Sequence, residues 1–207
     1  AQDGYIVYGP PEGRETVIDV GNQKDYCVQV DASYVILRGL TCKGARRHGI
    51  VLGDVTDVII EDCDVSGWGR IRSNGFGVNL DSAIYSESED LERIVVQRCR
   101  LHHPRSNANA WTQGGHPLGP QAICWQGSKG WHVVRYNEMY SDDEHCFNDI
   151  LGEERNHSYG GFPNRDTDIY GNRFANCWDD ALESEGANMN VRIWSNYIDH
   201  FYMAIGA

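Results

Sequence analysis

Apolar residues recur along this chain in short alternating runs, and one eight-residue pattern of them returns six times. It reads apolar, x, apolar, x, x, then Leu, Cys or Asn, x, apolar. The copies start at Val35 (VILRGLTC), Val58 (VIIEDCDV), Ile94 (IVVQRCRL), His132 (HVVRYNEM), Thr167 (TDIYGNRF) and Val191 (VRIWSNYI). They are 23, 36, 38, 35 and 24 residues apart. A basic coil of 23–24 residues therefore carries insertions of about a dozen in its middle three turns. Nowhere is a helical spacing sustained, and the Leu-x-x-Leu-x-Leu or helix-pair patterns of other repeats of comparable period are absent.

The expected fold is all-β: a right-handed parallel β-helix, a solenoid of stacked three-sided coils with inserted loops. Its sixth template position carries Leu40, Cys63, Cys99, Asn137, Asn172 and Asn196. Stacking places such residues about 4.8 Å apart, so the three Asn predict an amide ladder and Cys63 over Cys99 a buried thiol pair. A second strand is expected after each copy, at 49–52, 77–80, 122–125, 146–149, 181–184 and 203–205, with Ile50, Val78, Ile123, Phe147 and Leu182 pointing inward. Residues 1–34 read as an N-terminal cap or lead-in, with short strands at 17–20 and 27–30, and residues 35–207 as the coils. The sequence ends at Ile205-Gly206-Ala207, inside a coil and without a polar capping segment. The expectation is that a further segment or chain continues the stack.

Charge narrows the partners. Thirty acidic residues against eighteen Lys and Arg give a net charge of −12, which argues against nucleic acid, whose phosphates need clustered cations. No apolar run reaches the roughly 20 residues of a membrane span, and Ala1-Gln2-Asp3-Gly4 lacks the layout of a signal peptide. The expected location is secreted or periplasmic, with any signal already removed. Seven Cys cannot all pair with one another and no C-x-x-C occurs, so they read as mostly structural thiols.

The insertions locate the expected site. Those at 68–74, 81–93, 102–119 and 151–165 would wall a groove floored by the outward side of the second strand. Alternation puts Asn79, Asp81, Cys124, Gln126, Asn148, Glu183 and Glu185 on that floor. At the turn entering the strand stand His48, His145 and Asp180, with His145 expected beside Asp180 and with Asp142, Asp143, Glu144 and Asp179 in the same corner. Stacked carboxylates are tolerated only with a cation, a proton or a basic neighbour. The corner thus reads as a solvated acidic turn, as a Ca²⁺ site with Asp142 and Asp143 among the ligands, or as acid–base machinery. Loop aromatics and histidines (Trp68, His102, His103, Trp111, His116, His157, Tyr159) suit stacking on sugar rings or pinning of their own loops. Asn156-His157-Ser158 matches a glycosylation acceptor.

Over residues 35–207 the repeated copies resemble the right-handed parallel β-helix carbohydrate-active proteins, a superfamily that includes pectate lyases and polygalacturonases. Asp179-Asp180 with Gly186 and Asn190-Val191-Arg192-Ile193 resemble the polygalacturonase pattern, and Asn148-Asp149 partly matches its preceding Asn-x-Asp element. The chain departs from it at Trp178, which stands where that pattern has Gly, and in lacking its Gly-His-Gly and Arg-Ile-Lys. The resemblance implies acid and base roles for Asp179 and Asp180. The leading expectation is hydrolysis of glycosidic bonds in a polysaccharide. Asp180 and Glu183 would be the working pair, Asp149 or Asp179 would assist, and His145 would tune them. Asn79, Asp81, Trp111, Gln126, Asn148 and Glu185 would contact the substrate. Two alternatives stay open: a Ca²⁺-dependent lyase or epimerase acting on uronates, against which the scarcity of Lys counts, and a carbohydrate-binding solenoid without catalysis.

Overall fold

The structure is a computed structural model that describes residues 4–207; residues 1–3 of the expected cap lie outside the described residues. The chain winds into a right-handed parallel β-helix with three strands per coil. The first sheet joins Ile6–Tyr8, Val35–Arg38, Thr56–Glu61, Glu92–Gln97, Val133–Arg135, Asp168–Tyr170 and Arg192–Trp194. The second joins Thr16–Asp19, Leu40–Lys43, Asp64–Ser66, Arg100–His102, Glu138–Tyr140, Arg173–Ala175 and Tyr197–Asp199. The third, shorter, joins Tyr26–Val30, His48–Leu52, Ser82–Ser86, Gln121–Trp125 and Leu151–Gly152. Its edge is extended by single bridges from Leu151 to Leu182 and from Asp180 to Met203.

All six template copies stack in the register that their spacing implies: Val35 on Val58, Val58 on Ile94, Val95 on Val133, Val133 on Asp168 and Asp168 on Arg192. The template spans two strands with a corner between them. At that corner the residue before the ladder position adopts a left-handed backbone, with Gly39, Asp62, Arg98, Tyr136, Gly171 and Ser195 at φ of 53–66°. The chain must turn there, which is why the pattern breaks its alternation at that point.

The ladder itself forms. Asn172 Oδ1 accepts from the Asn137 backbone N–H at 3.0 Å and from Asn137 Nδ2 at 2.9 Å, while Asn172 Nδ2 donates to Val134 O and to Asn196 Oδ1. Asn137 Oδ1 accepts in turn from the Cys99 N–H at 2.9 Å. Inside the coils, side chains of one kind stack along the axis: Leu37, Ile60, Val96, Val134 and Ile169 from the first sheet, Cys42, Val65, Leu101, Met139 and Phe174 from the second. They are buried, and each contributes roughly 1.5–3 kcal/mol as it leaves water. The N-terminal strands form a coil of the same kind, with Ile6 on Val35, Thr16 on Leu40 and Tyr26 on His48.

Two third-side strands lie elsewhere than the sequence predicts. In the second coil the strand is Ser82–Ser86, not 77–80, and Ile84 rather than Val78 stacks on Ile50. Residues 70–78 instead fold into a small hairpin across Asn74-Gly75, with Ile71 bridged to Gly77 and the Arg72 N–H bonded to Phe76 O. In the fourth coil the strand is Leu151–Gly152, not 146–149, because Phe147 bridges to Cys177 and Leu151 takes the place on Ile123. Both slips are even in number, so inward and outward faces are kept. The floor residues change all the same: Tyr85 stands where Asn79 was expected and Gly152 where Asn148 was expected.

Candidate functional site

The outward column at the start of the third sheet runs His48, Ser82, Gln121, Asp149, Asp180. Asp149, not His145, therefore lies beside Asp180, and the Asp180 N–H donates to Asp149 Oδ1 at 3.2 Å. The other Asp149 oxygen accepts from Gln121 Nε2 at 2.9 Å and from Asn148 Nδ2 at 2.8 Å. These two bonds fix which way both amides face.

Glu183 comes in over the glycine that follows on the fourth coil. A methyl group on Gly152 would sit 2.9 Å from Glu183 Oε2 and 3.1 Å from Asp149 Cβ. The missing side chain is what lets the two carboxyl groups face one space. Glu183 Oε2 accepts the Glu153 N–H at 3.0 Å, and Oε1 accepts from Asn156 Nδ2 at 2.7 Å. Asn156, the residue of the glycosylation triplet, thus faces the site. The result is a cleft of about 180 Å³ lined by Asn79, His116, Gln121, Asn148, Asp149, Glu153, Asn156 and Glu183 among others. Both long insertions wall it, the first through His116 and the second through Glu153 to Asn156.

The cleft is acidic, and its Asp149, Glu153 and Glu183 carboxyl groups are buried. Burial, with Glu183 and Asp179 nearby, holds the Asp149 carboxyl well above the usual range, and burial raises Glu183 as well. Burial next to Asp179 and Glu183 pushes Asp180 up to about 7. Glu153, buried and close to Glu183 and Glu185, is pushed up to about 8 although it accepts the Phe162 N–H. At neutral pH such a cluster holds protons that exposed carboxylates would have released.

The remaining residues singled out from the sequence divide into near and far. Asp179 caps the cluster's outer edge, where Trp111 Nε1 donates to it at 3.3 Å and His116 Nε2 stands 3.3 Å away. Glu185 lies close to Asp180, since a methyl on Gly206 would collide with Asp180 Oδ2 and sit 3.4 Å from Glu185 Oε1. Asn79 lines the cleft and bonds Asn148 and the Gly119 N–H. Asp81 is buried and held bidentately by Arg70 at 2.7 and 3.0 Å, so it closes the hairpin loop. Gln126 donates to the Tyr85 hydroxyl at 2.6 Å, farther along the sheet. Trp68 is fully buried against Phe147 and pins its own loop.

His145 is in a different neighbourhood from the one the sequence suggests. Its Nδ1 lies 2.8 Å from Asp142 Oδ1, and its ring 6.1 Å from that of His103. Asp142 also accepts the Glu144 N–H and faces His103 Nε2 at 3.5 Å. The physical reason is the fourth-coil slip: Asp149, four residues on, takes the corner assigned to His145. Asp143 turns its carbonyl to Asn107 Nδ2. Among the described residues no group of three His, Cys, Asp or Glu side chains is arranged to hold a metal ion.

In the sequence Asp149 stands as an assisting residue, and Gln121, Gly152 and Glu153 carry no signal that singles them out. The Asn148-Asp149 dipeptide was the available signal for the first; nothing in the periodicity marks the others, which depend on the slip. No protein-family model matches the chain, and no curated protein or solved structure matches it either.

Proposed function

We propose that this protein hydrolyses glycosidic bonds in a polysaccharide, as a member of the pectate lyase and polygalacturonase-like β-helix superfamily, with Asp149 and Glu183 as the working pair. One observation carries the reading: two buried carboxyl groups face a single cleft across Gly152, and burial raises the pKa of both. The protonated member gives its proton to the leaving oxygen, and the ionised member activates water or attacks the sugar carbon. Asp180 supports the pair: its N–H bonds Asp149, and its own carboxyl adds to the negative potential that holds the proton. Trp111, 38% exposed at the rim, offers a face for a sugar ring.

The test is incubation with a panel of polysaccharides, read for new reducing ends and for unsaturated products. Glu183→Gln should lower turnover by about 10²–10⁴-fold with an unchanged melting temperature, because Asn156 can flip its amide to meet the new side chain. Unsaturated products would mean elimination instead of hydrolysis. Cleavage undiminished in Glu183→Gln would remove the pair from the mechanism.

A further inference from the structure

A hydrogen-bond census of the acid cleft is one-sided. Gln121 and Asn148 are almost wholly buried and have turned both amide N–H groups to Asp149. Their oxygens, Gln121 Oε1 and Asn148 Oδ1, are left without a donor. Glu153 Oε1 and Asp180 Oδ1 are buried and likewise without a partner. The two amide oxygens are acceptors, and the two carboxyl oxygens become acceptors once a bound cation displaces their protons. Buried polar groups are nearly always satisfied in a working state, and each left alone costs about 1–3 kcal/mol. A ligand that completes this site must bring donors.

The charge around the cleft points the same way. Asp149, Glu153, Glu154 and Glu183 line it, and Asp179, Asp180 and Glu185 lie beside it. Arg155, the cation nearest in sequence, is engaged by Glu89. His116 and His157 face Asp179 and Glu185 at the rim. A uronate would bring its own carboxylate into this field and would meet no Lys or Arg among the lining residues. An N-acetyl group would bring one donor and one acceptor. A primary ammonium has three donors and no acceptor, and attraction to the acidic groove would raise its local concentration.

We infer that the cleft binds a glycan bearing free primary amines, an amino-sugar polymer, with one ammonium group seated among Gln121 Oε1, Asn148 Oδ1 and Glu153. This rests on the hydrolase reading for what happens to the chain, but the recognition itself does not. It reverses the substrate sign that the resemblance to pectin-degrading enzymes suggests.

The experiment is calorimetric titration of the whole chain with three oligosaccharides of equal length: glucosamine hexamer, N-acetylglucosamine hexamer and galacturonate hexamer. Conditions are about pH 6 and about 0.15 M salt, where exposed charges are largely screened. The glucosamine hexamer should bind at least tenfold more tightly than the acetylated one, and the galacturonate hexamer should give no heat. Glu153→Gln should weaken the glucosamine hexamer about tenfold while leaving the melting temperature unchanged or raised. Equal binding of all three, a preference for galacturonate, or displacement of the glucosamine hexamer by Ca²⁺ at comparable concentration would each overturn the inference. Tight glucosamine binding without cleavage keeps it and removes the hydrolase reading. Cleavage of a neutral glycan with no preference for amines does the reverse.

Discussion

Two columns of polar side chains run along this solenoid, and they have opposite characters. At the corner between the first and second sheets, Asn137, Asn172 and Asn196 are neutral, and each spends its amide on the coil next to it. At the start of the third sheet, Gln121 leads into the stacked carboxyl groups of Asp149 and Asp180, and acceptors are left unmet. The same repeat geometry produces both. An amide is a donor and an acceptor at once, so a stack of amides is self-complementary. A carboxylate only accepts, so a stack of carboxylates needs protons or a ligand from outside. The outer column of the first sheet sides with the amides: Arg38 on Glu61, Gln97 on Glu61, Arg135 on Gln97, Tyr170 on Arg135. Where a β-helix satisfies its columns it is building itself; among the described residues the column at the start of the third sheet leaves buried acceptors unmet.

The largest effect on folding should come from breaking the amide ladder. Asn172→Leu strands the Asn137 N–H and the Val134 carbonyl and puts a branched apolar chain where Asn196 Oδ1 accepts. Each stranded group costs about 1–3 kcal/mol. Denaturant unfolding should show the loss with little change in slope. A variant as stable as the parent would show that the ladder is a consequence of stacking, not a support for it.

How far these two columns could be read from the sequence differs for a physical reason. The Asn ladder is a repeat of residue type at a fixed template position, so six aligned copies expose it, and so do Cys63 and Cys99. The first sheet's register follows from the same spacing. The acidic column has no residue type in common: His48, Ser82, Gln121, Asp149 and Asp180 share only a place in space. Finding it required the lengths of the insertions to be divided between loop and strand. Pattern alone assigned Gly77–Leu80 and Cys146–Asp149 to strands because both alternate, whereas the Asn74-Gly75 turn and the anchoring of Phe147 moved them. Glu183 was legible since its coil has no insertion before the strand. Asp149 was misplaced by four residues, and with it the neighbour of Asp180.

An intermediate effect should appear in the pH dependence of stability. The carboxyl pKa values of Glu153 and Asp180 are raised in the fold to about 8 and about 7, against about 4 in an unfolded chain. The folded state therefore binds protons that the unfolded state has released. Their stabilisation is complete below about pH 4 and is lost as pH rises through about 7 to 8. Asp57 and Asp168 act oppositely, since Arg93 and Arg192 hold their carboxyls low and their contribution is lost only in acid. The melting temperature should fall between about pH 5 and pH 8, and Glu153→Gln should flatten that fall. A melting temperature that climbs over this range would mean that the cluster is ionised and compensated by something bound.

The smallest effect should come from the thiols, which test whether the neutral column needs any covalent help. Cys63 and Cys99 occupy the ladder position directly below the Asn residues, and both are buried with free thiols. Each leans its Sγ on a main-chain carbonyl, Cys63 on Glu61 O at 3.3 Å and Cys99 on Gln97 O at 3.4 Å. In that position a thiol behaves as a small apolar group with a weak donor. The remaining Cys residues are also free. Addition of a reducing agent should leave the melting temperature within a degree or so, whereas loss of a native disulfide would cost about 2–5 kcal/mol. A drop of many degrees would show that the stack is stapled. The ladder's apolar half would then owe its stability to a bond, not to the burial that its sequence pattern encodes.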